Sequence, residues 1–137
     1  MLKLISASKI YDSSGVTALR RIDLHVARGD YVSVTGASGS GKSTLLNIMA
    51  GLEKPSRGSV FIDGVDIAKL SERQLAVFRQ KNIGFIFQSY NLMPTLTAVE
   101  NVAMPLMFKG IGKKSRNEQA VKMLKAVKLG NRMHHKP

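Results

Sequence analysis

A run of residues, 36–43, has the types and spacing of a loop that binds phosphate groups. It matches the pattern G-x-x-x-x-G-K-[ST], with Gly36 and Gly41 as the glycines and Lys42 and Ser43 at the end. Glycines let the chain curl tightly, so that several backbone N–H groups approach the phosphate oxygens together. Lysine adds a positive charge at the β- and γ-phosphates, and the serine hydroxyl is a ligand for Mg²⁺. The pattern therefore predicts a nucleotide site, for ATP with Mg²⁺.

The rest of the loop completes the predicted site. Thr44 follows the motif and can add a hydroxyl near the α-phosphate. Lys42 is also a candidate catalytic residue, because it would reach the phosphate groups that react. The residues predicted to hold ATP are Gly36, Ser38, Gly39, Ser40, Gly41, Lys42, Ser43 and Thr44.

The elements on either side of the loop are those that the motif requires. Residues 31–35 are rich in β-branched side chains, which is typical of a short buried strand. After the loop, apolar residues at Leu45, Leu46, Ile48 and Met49 predict a helix that runs to about residue 50, with Gly51 as its stop. The unsatisfied N–H groups at the start of such a helix attract anions. A flexible Gly/Ser linker is the alternative, and it would not lie between these two elements.

Strands and turns are predicted from alternation and from turn residues. Residues 3–11 and 18–27 alternate apolar and polar side chains and predict two strands, separated by a turn over residues 12–15. Asp63-Gly64 predicts a hairpin between residues 59–62 and 65–67. Residues 83–87 predict another buried strand.

Three further helices are predicted from N-caps and from helical periodicity. Ser71 followed by polar residues predicts a helix to about residue 79. Residues 97–109 have helical spacing, with Pro105 as a position for a kink. Residues 115–129 have an apolar face opposite lysines, which predicts a helix. No secondary structure is predicted for residues 131–137.

Composition limits the classes of protein that fit. The chain has 137 residues, 44% of them hydrophobic, which is typical of one globular domain. It has no cysteine, so disulfides are excluded, and no apolar run of the length of a membrane span. The N-terminus also lacks the apolar run of a signal peptide.

Positive charge is concentrated near the C-terminal end. The net charge is +12, and residues 109–137 contain nine basic residues against Glu118 alone. Such a block is typical of a surface for nucleic acid, an anionic membrane or an acidic partner, or of a solvated helix face. No aromatic residues interleave with the basic ones, which makes nucleic acid the less favoured partner.

Several longer runs resemble one family. Residues 35–52, TGASGSGKSTLLNIMAGL, resemble the nucleotide-binding domain of ABC transporters. Residues 55–60, 83–88 and 91–102 continue the resemblance, which covers essentially the whole chain. The subgroup is similar to the lipoprotein-release, macrolide-efflux and antimicrobial-peptide-export ATPases, with the cell-division ATPases as an alternative.

The resemblance implies an α/β fold, a P-loop NTPase with an ABC-type nucleotide-binding domain. The chain would hold the N-terminal part: an antiparallel β subdomain, an incomplete parallel-sheet core and the start of the helical subdomain. Residues 1–89 would form the nucleotide-binding core with the β subdomain, and residues 90–137 the incomplete helical subdomain. The cofactors would be ATP and Mg²⁺.

The same resemblance implies roles outside the loop. Tyr11 occupies the position of the aromatic residue that stacks on adenine. Gln88 occupies that of the glutamine that reaches Mg²⁺ and the attacking water, so it is a predicted catalytic residue and, with Ser43, a predicted metal ligand. The partners would be membrane-spanning transporter subunits and a second ATP-binding subunit in a dimer. The location would be cytoplasmic, peripheral on the inner face of the cell membrane.

Some motifs of the resembled family are missing. The sequence has no L-S-G-G-Q signature and no apolar strand that ends in Asp-Glu, and its histidines (His25, His134 and His135) do not fit the switch position. We therefore expect a truncated domain that binds ATP but hydrolyses it very slowly or not at all, with strands that lack neighbours. The alternatives are a non-catalytic nucleotide-binding module and a P-loop ATPase of another class associated with nucleic acid.

Overall fold

The computed structural model describes residues 1–12 and 15–137, which divide into a first unit, Met1–Phe85, and a second unit, Ile86–Pro137. The turn predicted over residues 12–15 includes Ser13 and Ser14, which lie outside the described residues. In the described part of the chain, no helix combines the length and the apolar character of a membrane span.

An antiparallel sheet dominates the first unit, as the alternating residues predict. Leu4 lies on a central strand and pairs with Leu24 on one side and Val60 on the other. The predicted hairpin is confirmed, because Asp63 and Gly64 both have the positive φ angles of its tight turn. The strands are β1 (Leu2–Tyr11), β2 (Val16–Val26), β3 (Arg57–Ile62) and β4 (Val65–Asp66). Their spatial order in the sheet is β2-β1-β3-β4.

Two helices complete the first unit, α1 (Lys42–Met49) and α2 (Glu72–Asn82), with a short 3-10 helix at Ile67–Lys69. Helix α1 buries Ile48 fully against Leu4 and Val60 of the sheet, and α2 adds Leu75 to the same core. Full burial of each such side chain contributes about 1.5–3 kcal/mol to folding. This core holds the start of α1 beside the sheet.

The predicted N-cap at Ser71 is present. Ser71 begins α2 with a capping box, in which its hydroxyl and the Gln74 side chain bond to each other's backbone N–H groups. The helix continues three residues past the predicted end, to Asn82. In the second unit, Thr97 and Glu100 form a capping box at the start of helix α3 (Ala98–Phe108). The hydrogen bonds from Thr97 keep the pKa of Glu100 below its usual value.

The two buried strands predicted at residues 31–35 and 83–87 are not formed. Neither segment is paired as a strand in the described part of the chain, and Val32 and Phe85 are exposed. Ile86 is 99% exposed. A β-branched run becomes a strand only when a neighbouring strand supplies hydrogen bonds and a packed face. These segments have the predicted composition, but neither is among the strands of the described sheet.

The second unit consists of α3 (Ala98–Phe108), α4 (Lys113–Ala126) and a short 3-10 helix at Gly130–Arg132. Pro105 lies within α3. Asn101 is buried. Its side-chain Nδ2 donates to backbone carbonyl oxygens of the preceding loop at 3.0–3.2 Å, those of Met93, Leu96 and Thr97. The loop before α3 is thereby fixed to the helix.

The last residues have a structural role that the sequence did not indicate. Carbonyl oxygens of Met133 and His135 accept hydrogen bonds from the N–H groups of Val99 and Ala98, at 3.0 and 2.8 Å. These two donors belong to the first turn of α3, where N–H groups have no partner within the helix. The prediction of no structure for residues 131–137 is therefore wrong.

Gly58 allows a test of the sheet. It has φ +85, and a Cβ there would lie 2.5 Å from the carbonyl oxygens of Ile5 and Ser6, where β1 bulges. We expect Gly58→Ala to destabilise the chain by at least 1 kcal/mol more than Gly64→Ala, measured by urea unfolding.

Gly64→Ala is the matched control, because Gly64 has φ +84 with no atom within 4 Å of the added Cβ. That variant would carry only the left-handed backbone cost, about 1–2 kcal/mol. Equal losses in the two variants would contradict the close approach of β1 and β3.

Candidate nucleotide-binding site

The glycine-rich loop ends at a helix start that only glycine fits. Gly41 is the N-cap of α1, with φ +88, and a Cβ at this position would lie 2.5 Å from the carbonyl oxygen of Ala18 in β2. That neighbour is backbone, which cannot rotate away. The requirement for glycine in the motif therefore comes from the contact between β2 and the start of α1, as well as from the ligand.

The start of α1 is arranged to receive an anion. The first backbone bond of the helix joins Leu45 N–H to Gly41 O at 2.8 Å, so the N–H groups of the first turn have no partner within the helix. Among the residues that the structure describes, no side chain caps this end, and no acidic residue lies in the first turn. Free donors and the helix dipole both favour a phosphate here.

Lys42 places its charge over the same loop. Its ammonium group donates to the carbonyl oxygens of Gly36 and Ala37, at 3.0 and 2.7 Å. Ser43 is exposed beside it. A depression of about 300 Å³ lies at this point, lined by the start of β2 and by Ser38, Gly39, Gly41, Lys42, Ser43 and Thr44. The shape, donors and charge fit the phosphates of a nucleotide.

Tyr11 lies at the end of β1, close to the first turn of α1. Its hydroxyl is 3.3 Å from Thr44 Oγ1 and donates to Glu53 Oε2 at 2.9 Å. The ammonium group of Lys9 lies 5.3 Å from the centre of the Tyr11 ring. The fold thus brings the predicted adenine-stacking residue to the predicted phosphate loop, while its stacking role stays a prediction.

Three residues of this network were not predicted as site residues. Glu53 binds Tyr11, accepts from Asn47 Nδ2 at 2.9 Å and pairs with Lys9 at 3.5 Å. Burial raises the pKa of Glu53, but the hydrogen bonds from Asn47 and Tyr11 and the charge of Lys9 outweigh it, so the pKa is lowered overall. The available signal was weak: Asn47 follows Thr44 by one helical turn, and Glu53 follows the predicted helix stop.

Gln88 belongs to the second unit, where it is exposed at a bend. Ser43 belongs to the first unit. The shared role of these two residues as metal ligands stays a prediction.

Comparisons with known proteins agree with this geometry. Residues 19–137 match the family model described as ABC transporter. The chain is 45% identical to an uncharacterized ABC transporter ATP-binding protein of Thermotoga maritima, over all of this chain and 59% of that protein. It is 44% identical to the lipoprotein-releasing system ATP-binding protein LolD of Bacteroides thetaiotaomicron, over all of this chain and 62% of LolD.

A solved structure agrees as well. The dimeric ATP-binding cassette MJ0796, in a post-hydrolysis state bound to ADP and Pi, matches all of this chain and 62% of its own, with a TM-score of 0.91 and 40% identity. The chain thus spans about 60% of the length of these relatives. Taken with the phosphate loop at the start of α1, the match over residues 19–137 shows that the chain belongs to the ABC transporter family.

Proposed function

We propose that this chain is the ATP-binding part of an ABC transporter subunit, which couples ATP binding and hydrolysis to export or release of a substrate through membrane-spanning subunits. The observation that carries the proposal is the uncapped start of α1 with Lys42 over the loop. The relatives named as ATP-binding proteins, and MJ0796 with its ADP and Pi, support it.

Each residue of the site has a proposed role. The first-turn N–H groups of α1 and the loop backbone hold the phosphates, and Lys42 neutralises charge on the β- and γ-phosphates. The Tyr11 ring stacks on the base. Ser43 and Gln88 hold Mg²⁺, which would neutralise charge that develops on the phosphates. Gln88 also orients the attacking water.

Partners and location follow from the same proposal. A dimer with a second ATP-binding subunit is supported by the dimeric structure of MJ0796. Membrane-spanning subunits would place the chain on the inner face of the cell membrane. The ABC transporter match includes the basic segment 109–137 and disfavours a P-loop ATPase of the nucleic-acid class.

ATP binding tests the proposal directly. We expect Lys42→Ala to raise the Kd for Mg–ATP by about 10–100-fold, because it removes charge-assisted hydrogen bonds to phosphate. Titration calorimetry would measure the Kd. Lys81→Ala is the matched control, since it removes one exposed lysine from α2 and should leave the Kd unchanged. Similar affinities for the Lys42→Ala and Lys81→Ala variants would refute the proposed site.

A second measurement concerns turnover by the 137-residue chain. Phosphoryl transfer needs charge stabilisation around the γ-phosphate and a positioned water. The sequence has the phosphate loop and Gln88, without an L-S-G-G-Q signature or an Asp-Glu pair after an apolar strand. We expect binding with very slow phosphate release or none. Steady, Lys42-dependent hydrolysis at ordinary enzyme rates would contradict this expectation.

A further inference from the structure

Glu53 is placed by the turn that ends α1. The N–H of Gly51 donates to Ile48 O at 3.1 Å, and the N–H of Leu52 donates to Asn47 O at 2.8 Å. These two bonds form a Schellman motif, which reverses the chain at a helix end. The N–H of Glu53 also donates to Asn47 O, at 3.3 Å. The turn therefore carries the Glu53 side chain back along α1, toward Asn47 and Thr44.

Both carboxylate oxygens of Glu53 have partners. Oε1 accepts from Asn47 Nδ2 at 2.9 Å, while Oε2 accepts from the Tyr11 hydroxyl at 2.9 Å and lies 3.5 Å from Lys9 Nζ. The Glu53 side chain is 28% exposed and that of Lys9 17% exposed, so neither is a freely solvated surface charge. Hydrogen bonds to an ionised carboxylate are stronger than those between neutral groups.

This network restrains both the hydroxyl group and the ring of Tyr11. The hydroxyl is held by Glu53 and lies 3.3 Å from Thr44 Oγ1, while the ring faces the Lys9 ammonium at 5.3 Å. An aromatic side chain at a strand end would otherwise sample several rotamers. A ring that is already fixed loses less conformational entropy when a base stacks on it.

We propose that Glu53 is a positioning residue for nucleotide binding, which fixes the Tyr11 ring beside the phosphate loop so that the ring is ready for the base. The inference rests on the proposed function, because it assumes that a nucleotide occupies the loop. Glu53 acts through Tyr11 and does not touch the phosphates. Its effect should therefore depend on the base.

The test compares two ligands, Mg–ATP and inorganic tripolyphosphate, which carries the phosphates without a base. Glu53→Gln keeps the size of the side chain, but it removes the charge and replaces one of the two carboxylate oxygens by an NH2 group, which cannot accept a hydrogen bond. Asn47 and Tyr11 donate to different oxygens of Glu53, so one of these two bonds is lost or rearranged. We expect the Kd for ATP to rise about three- to tenfold, without a rise in the Kd for tripolyphosphate. The ratio of the two Kd values is independent of any loss of folded protein.

Two further variants make the test specific. Glu72→Gln removes a carboxylate from α2 that pairs with Lys54 at 3.3 Å, and it should leave the ratio unchanged. Tyr11→Phe should raise the ratio as Glu53→Gln does, and the double variant should raise it no further, because both changes break the same hydrogen bond.

The outcomes separate the inference from the proposed function. If the unmodified chain binds both ligands and Glu53→Gln leaves the ratio unchanged, only the inference is overturned. Additive effects of Glu53→Gln and Tyr11→Phe would also overturn it, because Glu53 would then act by another route. If the unmodified chain binds neither ligand, the proposed function fails, and the inference fails with it.

Discussion

The start of α1 has backbone donors with no partner in the helix, and much of the first unit is arranged around them. Gly41 cannot carry a side chain there because the carbonyl oxygen of Ala18 is too close. The core around Ile48 keeps that approach in place by holding α1 on the sheet. No carboxylate in the first turn competes for the donors, and Lys42 adds positive charge. A helix start with backbone donors, no first-turn carboxylate and a nearby lysine favours the binding of an anion such as phosphate.

One short helix, α1, connects the glycine-rich loop to the side chains around Tyr11. The first turn of α1 provides the donors and also Thr44, whose side chain lies beside Tyr11. Asn47 follows Thr44 by about one turn, and its side chain binds Glu53. The turn after α1 then returns the chain toward Asn47. The residues proposed to bind the base and those proposed to bind the phosphates therefore depend on the same eight-residue helix and its two ends. A shift of α1 against the sheet would disturb both.

Features set by neighbouring residues in the chain were predictable, and features set by distant contacts were not. The Asp63-Gly64 hairpin and the Ser71 cap depend on local backbone angles and local hydrogen bonds, and the structure contains both of them. Residues 31–35 and 83–87 have strand composition, but a strand also needs a partner, which composition cannot supply. Glu53 was missed for a similar reason, because its partners Tyr11 and Lys9 lie more than 40 positions away.

The basic segment, residues 109–137, is folded into the second unit. From sequence, residues 109–137 could form a charged arm that binds a polyanion. In the structure, α4 contributes buried Ala120 and Leu124, and carbonyl oxygens of Met133 and His135 satisfy the first turn of α3. The segment is thus an integral part of the second unit, and its lysines lie on a folded surface. Lys113, Lys114, Lys122 and Lys125 lie on α4, and the ABC transporter match includes this helix.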